Sequence, residues 1–161
     1  DVAPGEPGEI IFAGPQVMRG YWNRPDADAE VFIGGFLRTG DVGQIDEDGY
    51  IRIVDRIKDM IAVGGFKVFP SQIEEILYRH PAVKEALVIG VPDPYRGESP
   101  KAFVALQEDA EADGATLMAW LNPQLGKHER VIAVDIRDSL PKTLIGKLDR
   151  KELRKAEGIT A

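Results

Sequence analysis

Residues 54–77 read "VDRIKDMIAVGGFKVFPSQIEEIL", and the fold turns on how this stretch changes character. Arg56, Lys58 and Lys67 lie among apolar residues. Gly64 and Gly65 allow either a sharp turn or a close approach of the backbone to a ligand, because glycine carries no Cβ. The plain reading is a hairpin between hydrophobic strands with its charges turned outward. Pro70 and Ser71 then open a helix, Ser71 standing three residues before Glu74 in a capping-box spacing. Ile73, Ile76 and Leu77 share one helical face, and Pro81 after His80 stops it. A strand-rich segment thus meets a helical one, with a seam at residues 56–58.

Upstream of the seam, residues 9–18 suit a short strand and a turn at Gly14-Pro15. Residues 19–32, "RGYWNRPDADAEVF", mix aromatics with Pro and Asp and read as a loop. Val42 to Val54 alternate as a hairpin around Asp46-Glu47-Asp48-Gly49. That turn resembles part of a calcium loop, but Gln44 and Asp55 stand where an EF-hand needs Asp and Glu, and the flanks are strands. Downstream, strands are expected over residues 83–91, 102–106 and 131–136. Residues 91–100, "VPDPYRGESP", read as a loop. Helices are expected from Thr116 and from Asp149, which caps with Glu152 three residues on. First third strand-rich, remainder alternating: the pattern is α+β in two pieces.

Composition narrows the function. The chain has 161 residues, 43% hydrophobic and 29% charged, as a globular protein does. No run approaches the roughly 18 apolar residues of a membrane span. There is no cysteine, which removes disulfides, thiolate metal sites and cysteine nucleophiles. The net charge of -7 argues against nucleic-acid binding. Lys142, Lys147, Arg150, Lys151, Arg154 and Lys155 nevertheless crowd the C-terminal end and are expected to form a solvated helix face. The opening "DVAPGEPGEI" has no initiator Met, no basic region and no apolar core of a signal peptide, and reads as the interior of a longer protein.

Taken singly, the candidate residues leave alternatives open. In "PKTLIGKLDR", residues 141–150, Lys147 follows Gly146. Pro141 and Leu148 break the Walker A pattern, so the segment is not a P-loop; Lys147 is a point charge able to meet a phosphate, or a solvated turn. Asp41 in "RTGD" can accept two ribose hydroxyls or cap a turn. His80 and His128 have no metal-ligand spacing and read as non-catalytic; no metal site is expected.

In order, "GEIIFAGPQVMRGYWNRPD", "FLRTGD", "DGYIRIVDRIKDMIAVGGFKVFPSQIEEIL" and "LPKTLIGKLDRKELR" resemble the C-terminal part of the adenylate-forming enzymes: acyl-CoA synthetases, peptide-synthetase adenylation domains and luciferases. The resemblance implies an α+β fold in which residues 1–57 are the last strands of a larger N-terminal domain. Residues 58–161 would be a mobile C-terminal domain with a small central sheet and covering helices. It implies Asp41 and Arg56 as ATP/AMP contacts, Lys58 as hinge, Gly64 and Gly65 beside the CoA pantetheine, Lys67 facing nucleotide or CoA, and Lys147 as the catalytic lysine.

ATP and CoA are the implied co-substrates, with Mg2+ held mainly by the N-terminal domain, whose phosphate loop this sequence lacks. "LGKHERV" departs from the Tyr-Lys-x-Pro run of many relatives. Ile53-Val54-Asp55-Arg56 and Gly65-Phe66 are most similar to fatty acid–CoA ligases. The expected function is that of such a ligase's C-terminal fragment, inactive alone and cytoplasmic, with peripheral membrane contact and self-association through the N-terminal strands left open. The alternative is a module that docks a carrier protein.

Overall fold

The computed structural model describes residues 2–159, which form two compact units dividing after Lys58. It is an α+β structure with two separate sheets.

The first unit is built on β3 (Phe36–Ile45), which pairs antiparallel with β1 (Gly8–Phe12), β2 (Phe32–Ile33) and β4 (Ile51–Arg56). The β3–β4 hairpin closes where the sequence places it. The Asp46 carboxylate accepts from the Asp48 and Tyr50 N–H groups at 3.0 and 2.8 Å, and Gly49 takes φ +86°. Its oxygen thus serves the turn.

Residues 19–32 correct the loop reading, because Pro25–Val31 is a helix, α1. Pro25 opens it with Asp26 and Asp28 in the first turn, a favourable start since proline's missing N–H would be unpaired there and acids suit the positive helix end. Among the described residues of this unit, Val42 is the buried hydrophobic, whereas Ile33, Ile45, Ile51 and Ile53 are at least half exposed. The strands pair, but they have almost no core of their own.

The second unit has a real one. Its sheet runs β6 (Phe66–Val68), β5 (Ile61–Val63), β8 (Gly97–Leu106), β7 (Val83–Asp93), with β9 (Val134–Ile136) parallel to β8. One face packs Ile61, Val63, Val88 and Val104 against Ile73 and Leu77 of α2 (Pro70–Leu77) and Leu117 and Leu121 of α3 (Gly114–Leu121). The opposite face packs Leu87, Ile89 and Phe103 against Leu140 and Leu153, the latter on α4 (Arg150–Ala156). A small sheet sandwiched by helices is what the pattern implies.

Three details differ from expectation. Residues 91–100 are not a loop: β7 and β8 run through Pro92 and Pro100 to a turn of three residues, where Asp93 accepts from Tyr95 N, Arg96 N and, at 2.6 Å, from Ser99 Oγ. Those bonds, the Ser99 hydroxyl foremost, hold the Asp93 carboxyl below its usual range. Prolines read as breakers here end up inside a long hairpin. The strand at 131–136 shortens to Val134–Ile136, because the Asn122 side chain takes both backbone groups of Val131. Finally, Ser71 does not cap α2: Phe69 holds the N-cap position with no side-chain bond, and Pro70 opens the helix. Glu74, released from capping, turns inward.

At the start of α3, Asp113 accepts from Thr116 N at 2.7 Å, and a Cβ built on Gly114 would overlap the Val134 carbonyl oxygen. Backbone, unlike a side-chain tip, cannot swing aside. Gly114→Ala is expected to lower stability by about 1–3 kcal/mol through overpacking, read as a lower urea midpoint at unchanged slope.

Candidate functional site

In the first unit the β3–β4 register sets Asp41 opposite Arg56, and Arg56 Nε donates to Asp41 Oδ1 at 3.1 Å. Thr39 fixes the turn before Asp41: its Oγ1 donates to the Ile10 carbonyl at 2.8 Å and accepts from Asp41 N at 3.0 Å. Beside this pair lies a cleft of about 410 Å3, lined by Arg38, Thr39, Gly40, Arg56, Ile57 and Lys58 among others. Arg38 is held back by a two-toothed bond to Glu9 at 2.9–3.2 Å. The cleft is lined also by the carboxylates of Glu9 and Glu30; Arg56 reaches it, while its partner Asp41 stands behind Arg56 and does not line it. Lys58 sits in a one-turn 3-10 segment, Ile57–Asp59, at the end of this unit.

In the second unit Gly64 and Gly65 form the two-residue turn between β5 and β6, with φ of +57° and +86°. Positive φ at both central positions is a type I′ hairpin, which glycine adopts without strain. The plain reading of the sequence is thus the geometry found. Lys67 pairs with Ala62 across this hairpin and is exposed. Phe66 stacks flat on His128, centroids 3.6 Å apart. His80 accepts from Ala82 N and packs edge-on to Trp120. Among the described residues no cluster of three or more His, Asp or Glu is placed to hold a metal ion.

Lys147 lies on a tight excursion over residues 141–149. Asp149 N donates to Pro141 O at 2.8 Å to close the base, and Lys142 pairs with Leu148 as an isolated bridge. Thr143 ties the tip: its N–H donates to Lys147 O at 2.7 Å, and its oxygens accept from Gly146 N and Lys147 N. Gly146 at φ +80° makes the reversal. Leu144 is fully and Ile145 largely solvent-exposed, and among the described residues no carboxylate pairs with the Lys147 ammonium. The loop presents this cation to solvent from a fixed base.

Of the other basic residues at the C-terminal end, Lys151 and Lys155 are exposed as expected, whereas Lys142, Arg150 and Arg154 are tied to carboxylates. Lys142 pairs with Glu85 at 2.5 Å. Arg150 Nη2 donates to Glu74 Oε2 at 2.6 Å and Arg150 Nη1 lies 3.6 Å from Asp59 Oδ2. Arg154 Nη1 donates to Asp59 Oδ1 at 3.3 Å. Glu74 Oε1 also accepts from Val88 N at 2.7 Å. Glu74 and Asp59 are buried, so this cluster of two arginines and two carboxylates fastens α4 to α2 and to the start of the unit. Sequence reasoning missed it; the signal available was Glu74 falling beside Ile73 and Leu77 on the core face of its helix.

Residues 72–147 match the AMP-binding enzyme C-terminal domain, and over that stretch the chain belongs to this family. Among its relatives, a long-chain-fatty-acid–CoA ligase of Bacillus subtilis is 48% identical over 96% of this chain. A feruloyl-CoA synthase of Amycolatopsis is 46% identical over 98%. The ATP-bound structure of MatB from Rhodopseudomonas palustris superposes with a TM-score of 0.90 at 38% identity, over 96% of this chain and 31% of that one. The chain spans 28% of the length of the first of these relatives and 32% of the second.

Proposed function

We propose that the chain is the C-terminal portion of an ATP-dependent acid–CoA ligase acting on a fatty acid, and that Lys147 serves its first half-reaction. The observation that supports this most is the 46–48% identity to long-chain-fatty-acid–CoA ligases along nearly the whole chain. The Lys147 ammonium, presented at an exposed loop, gives that identity its chemistry.

In this reading a carboxylate oxygen attacks the α-phosphorus of ATP and pyrophosphate leaves. Negative charge builds on the phosphate oxygens, and a positioned ammonium stabilises it. The CoA thiol then attacks the acyl-adenylate and AMP leaves. Asp41 accepts the ribose hydroxyls with its free oxygen, and Arg56 orients that carboxylate. Lys58 is the hinge whose backbone rotation withdraws Lys147 and brings the Gly64-Gly65 turn and Lys67 to the CoA. Mg2+ would be held by residues beyond this chain, and so would the acid. A feruloyl-CoA synthase is as similar here as some fatty acid ligases are, which fits a portion that carries the shared steps and leaves the choice of acid elsewhere. On this proposal the isoleucine-rich face of the first unit is covered by the rest of the parent, the fragment alone is inactive, and the parent works in the cytoplasm.

The test is AMP release by the full-length parent with palmitate, ferulate and no acid. Palmitate-dependent release is expected. Release with ferulate alone would replace the fatty acid, and release with neither would remove the ligase reading.

A further inference from the structure

We infer that Arg150 is a positioning residue for Lys147, its guanidinium fixing the point from which the lysine loop springs. The inference rests on the reading of Lys147 given above. Lys147 and Arg150 are three residues apart, a span of at most about 10 Å, and between them lie Leu148 and the α4 cap Asp149. Whatever sets the first turn of α4 therefore sets the exit of the loop.

That turn is held by charge. Arg150 is 19% exposed, and its two nitrogens reach carboxylates on different elements, Glu74 at 2.6 Å and Asp59 at 3.6 Å, each 11% exposed. Glu74 cannot follow a moving arginine, because Val88 N of the central hairpin holds its other oxygen. The entry side of the loop has its own anchors, buried Leu140 and the Lys142–Glu85 pair. Both ends are thus pinned.

The remainder of α4 does not depend on Arg150. Leu153 is buried, Arg154 pairs with Asp59, and Glu157 takes Lys101 and Arg137 at 3.1 and 2.7 Å. Losing Arg150 should loosen the first turn and leave the helix docked. A misplacement of about 1 Å at a reacting group costs about 100-fold, so the effect belongs in the rate of the step that uses Lys147 and not in the other.

The experiment uses the full-length parent and two half-reactions: acid-dependent ATP–pyrophosphate exchange, and CoA-dependent consumption of supplied acyl-adenylate. Arg150→Met is expected to slow exchange about 30-fold, with the KM for ATP within about twofold. Thioester formation from the adenylate should stay within about threefold of the parent. Combined with Lys147→Ala, it should add less than about threefold to the loss, because an arginine acting through the lysine has nothing left to position.

Arg150→Lys keeps the charge but reaches one carboxylate, and should lose about fivefold in exchange; if the methionine variant does not fold, the same double-mutant comparison with Arg150→Lys decides. Equal loss in both half-reactions, or fully multiplicative losses with Lys147→Ala, overturns the inference. Loss with Lys147→Ala and none with Arg150→Met or Arg150→Lys overturns it while sparing the role of Lys147; loss with none of the variants overturns both.

Discussion

Lys147→Ala in the full-length parent is expected to slow ATP–pyrophosphate exchange by about 100- to 1,000-fold, or about 2.7–4 kcal/mol of barrier, the scale of removing one charge-stabilising donor from a transition state. Thioester formation from supplied acyl-adenylate should change by less than about threefold. The asymmetry follows from where the side chain sits. Its ammonium stands on an exposed tip, and the loop beneath it is closed by main-chain bonds of Thr143, Gly146 and Asp149 that use no lysine side-chain atom. Truncation therefore removes the charge and leaves the loop standing. Lys147→Arg should recover little, because a planar fork cannot replace a compact ammonium at one phosphate oxygen. If exchange by Lys147→Ala stays within about threefold of the parent, about 0.7 kcal/mol, Lys147 has no part in adenylation.

The elements that were legible in the sequence are those whose signal is local. The Asp46–Gly49 hairpin turn, the Asp149 helix start and the Gly64-Gly65 turn each follow from backbone preferences within a few residues. What was not legible depends on partners far along the chain. Glu74 sits in a capping-box spacing with Ser71, so local grammar assigns its carboxylate to the helix end; Arg150, 76 residues later, claims it instead. The prolines at 92 and 100 mislead in the same way, since a strand breaker is tolerated when a long antiparallel partner supplies the rest of the ladder. The site divides along the same line. Asp41 and Arg56 are 15 residues apart and face each other because one short hairpin puts them in register. The arginine–carboxylate cluster behind Lys147 spans the whole second unit.

Glu74→Ala is expected to be among the most damaging single changes in that unit, by up to about 3–5 kcal/mol, because it removes the nearer of the two carboxylates facing Arg150 and leaves Asp59, 3.6 Å away, as the remaining one of the two. The same substitution strips the Val88 N–H, in the middle of the central hairpin, of its acceptor. Against a typical domain stability of about 5–15 kcal/mol this is a large fraction. Glu74→Gln separates the two losses: the amide oxygen still accepts from Val88 N, while the charge facing Arg150 is gone, so its cost should fall between wild type and alanine.

Glu75→Ala is the control one position along the same helix. Its ion pair with Arg79, 3.1 Å long, has both side chains more than half exposed, and such pairs contribute about 0.3–0.5 kcal/mol. Urea unfolding followed by Trp120 fluorescence reports on this unit, since Trp120 packs against its core; Trp22, 91% exposed, is first replaced by Phe to silence the other unit. A Glu74→Ala midpoint indistinguishable from that of Glu75→Ala would mean the buried carboxylate adds nothing that water does not. The cluster would then be a coincidence of packing and could not fix the base from which Lys147 reaches out.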